Sequence, residues 1–267
     1  MKFKKASYLK GNRLLFFFFV GVIILIIIGI ITKVVITYMH SSYDGKQQFI
    51  LAVYGKGREV AVIVASPDNK SLGLLDIKNL KGQSLQKTIV IPVDAEAINQ
   101  DLPLNVSETK LLQRLFWQFG NFHTRGMTVI DALRLYLFSK SLKSDAKTTQ
   151  IITLPMNQVI LNQQVQTVIT DHTLYKEGQS IAIVNASGQD GIGTRLAQLL
   201  TNIGGNIVSV TTSQEDQATS TIGYTGTNPS YTATRLQKIL GLTLVPMQSK
   251  GLSDIMITVG SKGVKKF

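Results

Sequence analysis

The sequence predicts a single N-terminal transmembrane helix, followed by an α+β unit and a small C-terminal α/β domain. Three patterns support this prediction. An apolar run near the N-terminus is long enough to cross a bilayer, short β-branched runs give way to helical periodicity in the middle, and strand and helix patterns alternate near the C-terminus. A chain of 267 residues has room for one or two folded units besides the apolar run.

Composition excludes several functional classes. The chain contains no cysteine, which removes disulfide frameworks, thiol nucleophiles and cysteine-ligated zinc or iron–sulfur sites. Its three histidines, His40, His123 and His172, are far apart in sequence, so we predict no metal site and no cofactor. The net charge of +12 suits an anionic partner, but no basic stripe interleaved with aromatic residues occurs, so we expect no nucleic-acid partner.

The apolar run covers residues 14–31, eighteen residues without a polar side chain, and continues after Thr32 and Lys33 to residue 36. Eighteen residues of helix span about 27 Å, close to the hydrocarbon thickness of a bilayer. A buried core helix is the bland alternative, but such helices seldom run this long without a polar residue. A cleaved signal peptide is disfavoured by the length and by the bulky residues that follow. Residues 14–36 are therefore predicted to be a membrane anchor.

The flanking charges predict the orientation of this anchor. Residues 1–13 form a basic tail, whereas Lys33 is followed by no charged residue until Asp44. The tail carries five cations: Lys2, Lys4, Lys5, Lys10 and Arg13. The positive-inside rule places this tail in the cytoplasm and the rest of the chain outside the membrane. We predict a single-pass cell-membrane protein that has the lipid bilayer as a partner and an extracytoplasmic body.

Residues 37–48 are polar and are predicted to be a linker, and residues 49–170 to be the α+β unit. Four β-branched runs predict a meander of three or four strands at 49–54, 59–65, 72–77 and 88–92. Helical periodicity follows at 108–119, with Ser107 as N-cap, and at 127–142. The predicted inward face of the second helix is Val129, Ile130, Leu133, Leu137 and Phe138. Residues 150–154 are a predicted strand, and residues 157–170 are a strand or a short helix.

Residues 171–179 are predicted to be a second linker, and residues 180–261 the α/β domain. Strands are predicted at 181–185, 206–212, 221–224, 242–246 and 254–260, and helices at 192–203 and 231–240. The last residues, 262–267, form a basic tail that includes Lys262, Lys265 and Lys266. We expect this tail to be solvated.

The turn between the first strand and first helix of this domain is the most specific stretch of the chain. Its candidate ligand-binding residues are Asn185, Ser187, Gly188, Gly191 and Gly193. A helix N-terminus that follows glycines can hold an anion. The dinucleotide fingerprint is nevertheless incomplete, because Leu196 replaces its third glycine and no acidic residue closes the next strand. The alternative to ligand binding is a purely structural, tight β-to-α turn that needs glycine for packing.

Several residues of this domain carry a family resemblance. They are Val184-Asn185-Ala186-Ser187-Gly188, Gly191-Ile192-Gly193, Thr232-Ala233, Leu236 and the final strand from Asp254 to Gly260. Over residues 180–261 this pattern resembles the C-terminal domain of LytR/CpsA/Psr proteins. The family's closing Gly-x-Asp is Gly260-Ser261-Lys262 here. If the family's aspartate binds a ligand, the resemblance does not extend to that ligand.

The family often joins this domain to a phosphotransferase domain that links polyprenyl-pyrophosphate-carried glycopolymers to peptidoglycan. Residues 49–170 are similar to that domain in outline, and Ile91-Pro92-Val93-Asp94 resembles its Ile-Pro-Arg-Asp motif. Val93 replaces the arginine, and the family's Arg-Ser-Asp is matched only by Arg58-Glu59. The resemblance therefore implies a degenerate unit without a catalytic centre, in which Asp94 is the one weak catalytic candidate.

Several other residues that could bind a ligand are predicted to have only structural or solvent-exposed positions. Trp117 lies among phenylalanines and is predicted to pack in the core rather than to stack on a sugar. His123 is predicted to lie in a loop between helices. Arg114, Arg125 and Arg134 are predicted to lie on solvated faces rather than to form a phosphate-binding cluster.

These patterns predict a membrane-anchored extracytoplasmic envelope protein, a binding or assembly module that contacts cell-wall glycopolymer or an envelope protein. The alternative is an active glycopolymer phosphotransferase, and only that alternative requires magnesium. A third interpretation is an anchored assembly factor that acts through protein contacts alone.

Overall fold

The computed structural model describes residues 8–56, 59–80, 85–248 and 251–262. Lys2, Lys4 and Lys5 of the N-terminal tail, Arg58 of the weak Arg-Glu match, and Lys265 and Lys266 of the C-terminal tail lie outside these residues. The chain begins with one long helix, α1 (Tyr8–Met39), and continues as an α/β region and a C-terminal α/β domain. Residues Leu15–Met39 of α1 are long and apolar enough to cross a membrane, and the rest of the protein buries none of their most apolar window.

Six strands form the first sheet. They are β1 (Phe49–Tyr54), β2 (Val60–Ser66), β3 (Ser71–Lys78), β4 (Ala95–Ile98), β5 (His123–Arg125) and β6 (Lys147–Thr153). Their order in the sheet is β5-β4-β1-β2-β3-β6. The predicted antiparallel meander is confirmed for β1, β2 and β3, while β4 and β6 add parallel strands beside β1 and β3.

The predicted strand at 88–92 is wrong. A short helix, α2 (Leu85–Thr88), is followed by an extended segment with no ladder partner, and the missed strand β4 begins only at Ala95. Ile89, Val90 and Ile91 are buried all the same. A β-branched run signals burial as much as strand pairing, and here the side chains fill the core without joining the sheet.

Two helices, α3 (Glu108–Trp117) and α4 (Val129–Ser141), cover one face of the first sheet. The predicted inward face of α4 is confirmed for Phe138, which packs against the core, and is wrong for Val129 and Leu137. Asp131, Ala132, Leu135 and Ser139 are the buried residues, whereas Val129 is 39% and Leu137 56% exposed. The helix is apolar almost all round, so periodicity did not identify the core side, and the buried face contains a carboxylate.

The ambiguous stretch at 157–170 is a helix, α5 (Gln158–Ile169), and the predicted linker at 171–179 contains another, α6 (His172–Glu177). Asp171 caps α6 by accepting a hydrogen bond from the Leu174 amide, and Gly178 ends it in the left-handed region at φ 57°. This segment is held firmly by its neighbours. Glu177 of α6 accepts hydrogen bonds from the amide and hydroxyl of Thr232 at 2.8 and 2.6 Å.

The C-terminal domain has the predicted elements, with ends that agree or differ by one residue. They are β7 (Ser180–Ala186), α7 (Ile192–Asn202), β8 (Asn206–Thr212), β9 (Thr221–Tyr224), α8 (Tyr231–Leu240), β10 (Thr243–Pro246) and β11 (Ile255–Gly260). The strand order is β10-β9-β11-β7-β8, and only the β9–β11 pair is antiparallel. Both helices pack on the same face of the sheet.

Two apolar cores stabilise the body. One lies between the first sheet and the helices α3 and α4. The other is continuous from the opposite face of the first sheet, through α5, into the core beneath α7 and α8. The two predicted units therefore share one interior.

Candidate functional site

Asp94, the catalytic candidate, is held by the backbone of β1. Its amide donates a hydrogen bond to the carbonyl of Ile50 at 2.8 Å, and its Oδ2 accepts one from the amide of Ile50 at 2.8 Å. The carboxylate therefore continues the backbone pairing of β1 just before β4 begins. This position is in the extended segment after α2, whereas the family motif that Asp94 resembles ends a β-hairpin.

Arg235 of α8 contacts this carboxylate. Its Nη1 and Nη2 each donate a hydrogen bond to one oxygen of Asp94 at 3.2 Å, which makes the contact bidentate. The Arg235 side chain is 0% and that of Asp94 5% exposed. Sequence reasoning missed Arg235. The available signal was an arginine between Ala233 and Leu236, two residues of the apolar face of a helix.

Asp171 is the third member of this buried cluster, which we call the Arg235 cluster (Asp94, Asp171, Tyr231 and Arg235). Arg235 Nε lies 3.4 Å from Asp171 Oδ2, and the Tyr231 hydroxyl donates a hydrogen bond to the same oxygen at 2.9 Å. Asp171 precedes α6 and Asp94 precedes β4, so one side chain of the C-terminal domain joins three parts of the chain.

The electrostatics of the Arg235 cluster explain why a cation is needed there. Burial raises the pKa of Asp171 above its ordinary value, although the Leu174 amide, Arg235 and Tyr231 all favour the carboxylate. Burial alone would lower the pKa of Arg235. The charge and hydrogen bonds of Asp94, followed by the charge of Asp171, more than offset this effect and raise that pKa. The guanidinium therefore stays charged and stabilises both carboxylates.

The Arg235 cluster does not have the geometry of a catalytic centre. Both oxygens of Asp94 are engaged and shielded from water, so neither can contact a substrate. Among the residues that the structure describes, no three His, Cys, Asp or Glu side chains come close enough to hold a metal ion together. The structure therefore gives Asp94 a structural contact with Arg235.

The predicted ligand-binding turn between β7 and α7 is stabilised from within. Asn185 Oδ1 accepts hydrogen bonds from the amide and hydroxyl of Ser187 at 3.2 and 2.6 Å, and Asn185 Nδ2 donates one to the Gln189 carbonyl at 2.7 Å. Both side chains are buried. These are the contacts of a tight β-to-α turn, and they leave the polar groups of Asn185 and Ser187 directed at the turn itself.

The three glycines of this turn have different roles. Gly188 has φ +70°, and a Cβ there would come within 2.7 Å of the Asp216 carboxylate. Gly191 is the N-cap that precedes α7, at φ +80°, and has open space around it, which keeps the helix N-terminus accessible. Gly193 lies against Val210, 3.0 Å from where its Cβ would be, and brings α7 close to β8. Ligand binding by these residues stays a prediction.

No helix of the described residues covers the outer face of the C-terminal sheet, because α7 and α8 both pack on the other side. Met247 lies against Gly223 on this face, and the backbone of residues 217–219 lies against Gly260. Strand pairing places Val184, Thr211, Thr221, Thr243 and Thr258 in one outward row, and Ala182, Ser209, Gly223, Val245 and Met256 in the next. Val245 is 42% and Met256 39% exposed. We call this the outer sheet face. Hydroxyl and small apolar groups alternate across it.

The structure corrects three sequence predictions that gave a residue no functional role. Trp117 is 71% exposed rather than packed in the core, because it follows the last buried turn of α3. Arg134 contacts the segment after α1 instead of solvent. His123 begins β5 rather than lying in a loop, although its side chain is exposed.

Comparisons with known proteins give one family match, in the C-terminal domain. Residues 179–262 match the family model described as LytR cell envelope-related transcriptional attenuator. This segment is therefore similar to a LytR C-terminal domain. The crystal structure of the transcriptional regulator yvhJ from Bacillus subtilis is similar at 14% identity, with a TM-score of 0.33, over 46% of this chain and 95% of that chain. No curated protein sequence matches the chain.

Proposed function

We propose that the chain is a membrane-anchored, extracytoplasmic cell-envelope protein whose body binds cell-wall glycopolymer without catalysing its transfer. The observation that carries the non-catalytic part is the bidentate contact between Arg235 and Asp94. It engages both oxygens of the one carboxylate for which the sequence suggested catalysis. The LytR C-terminal domain supports a role in the envelope.

The anchoring part rests on α1. Its apolar window is not covered by the protein, and an apolar surface of this length in water would be strongly unfavourable. The cations of the N-terminal tail favour a cytoplasmic N-terminus, so the body would face the wall.

Chemistry also disfavours the phosphotransferase alternative. Transfer from a polyprenyl pyrophosphate develops negative charge on the leaving group, and arginine, lysine or a metal ion normally stabilises that charge. Val93 offers no charge, and the cation nearest to Asp94 is Arg235, whose side chain is wholly buried.

The outer sheet face is the surface that we assign to the glycopolymer. Threonine and serine hydroxyls can exchange hydrogen bonds with sugar hydroxyls, and Val245 and Met256 offer apolar contact to the faces of sugar rings. The strand β8 lies at the sheet edge beside this face and pairs only with β7. A hydroxyl-bearing sheet face without an enclosed pocket among the described residues fits an extended polymer better than a small molecule, which needs such a pocket.

Cosedimentation of the detergent-solubilised full chain with purified cell-wall sacculi tests this proposal. We expect the protein to pellet with the sacculi, and Val245→Glu to weaken retention about tenfold. Val159→Glu is the matched control, because Val159 is 64% exposed on α5, away from the outer sheet face, and its replacement should leave retention unchanged. Failure of the unaltered chain to pellet would contradict glycan binding. Crosslinking of the outer sheet face to an envelope protein instead would favour the assembly-factor interpretation.

A further inference from the structure

The helix α4 carries an apolar stripe that the core does not use. Val129, Leu133 and Leu137 follow one another at every fourth position, on the side opposite the buried residues Ala132 and Leu135. Leu137 is 56% exposed. A stripe of this kind on a soluble helix normally faces a core, so its outward direction requires another explanation.

Aromatic and basic side chains extend this stripe onto the end of α3. The rings of Phe116 and Tyr136 stack with centroids 6.2 Å apart, and Trp117 contacts Phe116 at 5.0 Å. Lys140 Nζ lies 5.9 Å from the centre of the Tyr136 ring. We call this combined area the α4 surface: Trp117, Val129, Leu133, Tyr136, Leu137 and Lys140.

The α4 surface is adjacent to the last turn of α1. The Arg134 guanidinium lies 4.7 Å from the centre of the Tyr38 ring, and its Nη1 donates hydrogen bonds to Ser41 Oγ at 3.0 Å and to the Tyr43 carbonyl at 2.8 Å. Leu133 and Leu137 are within about one helical turn of Arg134. Leu137 lies three positions after Arg134, so the two side chains are neighbours on α4. One edge of the stripe therefore lies next to the residue that contacts α1.

Asp131 fixes this arrangement from the buried side of α4. Its Oδ1 accepts hydrogen bonds from the Ser41 hydroxyl at 2.6 Å and the Tyr43 amide at 2.8 Å. Its Oδ2 accepts two more from Thr128, at 2.6 and 2.8 Å. The residues that follow α1 are thus held against α4, and the predicted linker at 37–48 does not separate the body from the end of α1.

We propose that the α4 surface lies in the headgroup region of the same bilayer that α1 crosses and contacts anionic lipid. The inference rests on the anchoring part of the proposed function and on nothing else in it. Tryptophan and tyrosine favour the membrane interface because one part of each ring is apolar and another polar. Arg134, Lys140 and Lys143 add positive charge on and beside the surface, which complements phosphate headgroups.

Continuity with α1 favours lipid over a second protein as the occupant. Tyr38, in the last turn of α1, lies against Arg134, which is next to Leu137, so the near edge of the α4 surface is close to where α1 would leave the bilayer. Lipid headgroups already fill this space around an inserted α1. Lys140 on this surface and Arg134 beside it add positive charge, which suits an interface with headgroups.

The sequence supplies a direct probe, because Trp117 is the one tryptophan in the chain. The full chain would be reconstituted in vesicles of phosphatidylcholine and phosphatidylglycerol, with bromine atoms on the upper acyl chain of part of the lipid. We expect the bromolipid to quench Trp117 emission at least twofold. Leu137→Glu should reduce this quenching about threefold, whereas Leu252→Glu, at a leucine 95% exposed in the C-terminal domain, should not change it.

Flotation of the same vesicles separates the possible failures. If the chain floats with the vesicles but bromolipid does not quench Trp117, the inference is overturned while the anchor stands. If Trp117 is shielded from aqueous iodide yet unaffected by bromolipid, a protein or a second copy covers the surface, and the inference is also overturned. If the chain does not float at all, the anchor itself is contradicted, and the proposed function fails with it.

Discussion

The two sheets of this protein differ in how many faces they bury. In β1, β2 and β3 almost every residue is buried, whereas in β7 buried and partly exposed residues mainly alternate. The first sheet is covered by α3 and α4 on one face, and by α5 with the C-terminal domain on the other. The second sheet has helices on one face only. The difference shows that the first sheet depends on the C-terminal domain to complete its core, whereas no helix of the described residues covers the outer sheet face.

Polar side chains form hydrogen bonds and ion pairs in this shared interior, although Gln48 Oε1 and Arg235 Nε have no hydrogen-bond partner among the described residues. Asn202 of α7 donates a hydrogen bond to the Val90 carbonyl at 2.8 Å, and Gln48 donates one to the Ile169 carbonyl at 3.1 Å. Arg235 then pairs with carboxylates from both sides. We therefore regard the Arg235 cluster as the polar centre of one folded body.

Truncation after residue 170 should have the largest effect on the stability of the first sheet. It removes α6 to α8 and the second sheet, which exposes apolar residues of the first sheet such as Ile50, Val62 and Leu75 to water. We expect loss of the cooperative urea transition and strong binding of a hydrophobic dye. Removal of residues 263–267 alone is the control and should change nothing. A truncated chain with an unaltered urea midpoint would show that the two units are independent.

Arg235→Met should destabilise the body by about 3–5 kcal/mol, because it leaves two buried carboxylates without their cation. Urea unfolding of the full chain in detergent measures this change. Arg125→Met removes an exposed arginine of β5 and should cost about 0.5 kcal/mol or less. A loss below about 1 kcal/mol for Arg235→Met would argue against the Arg235 cluster as the centre of the body.

Asp131→Ala should destabilise the body by about 2–3 kcal/mol, since it removes the acceptor for the buried Tyr43 amide and the Ser41 hydroxyl. It should also make residues 40–48 sensitive to protease in reconstituted vesicles, because they are no longer held against α4. Asp145→Ala, at an exposed aspartate after α4, serves as the control. Unchanged protease resistance of residues 40–48 in the Asp131 variant would contradict this role.

The alkaline limit of stability should depend on Tyr43, and we expect this to be the smallest effect. Burial and, to a smaller extent, the charge of Asp44 together raise the Tyr43 pKa to about 12, against the opposing charge of Arg134. The folded state therefore favours the protonated phenol. The stability that the protonated Tyr43 contributes is fully present below about pH 10 and is lost as pH rises towards 12. Urea midpoints measured between these values should fall less steeply for Tyr43→Phe than for Tyr175→Phe, at a tyrosine that is 63% exposed.

The secondary structure of the C-terminal domain was predictable, because each of its elements is bounded by residues with a strong local preference. Gly241 at φ 60° ends α8, and Ser230 caps its first turn by accepting a hydrogen bond from the Ala233 amide at 3.1 Å. Local signals of this kind lie within a few residues of the boundary that they define. They are readable without knowledge of the tertiary fold.

The faces of α4 and the partner of Asp94 were not predictable, because both depend on distant parts of the chain. The α4 helix buries Asp131 only because Ser41 and Tyr43, some ninety positions earlier, supply donors. Asp94 and Arg235 are 141 positions apart. A sequence pattern identified Asp94 as unusual but gave no indication of the cation that neutralises it.

The role of Asp94 is the central claim, and a transfer assay tests it most directly. The intact chain would be incubated with a polyprenyl-pyrophosphate-linked glycopolymer, peptidoglycan and magnesium, and loss of the lipid-linked substrate would be followed for the unaltered chain and for Asp94→Asn. We predict no turnover by either protein, together with a lower urea midpoint for Asp94→Asn, because the ion pair with Arg235 is weakened. Turnover by the unaltered chain that Asp94→Asn abolishes, with the urea midpoint unchanged, would contradict a structural Asp94.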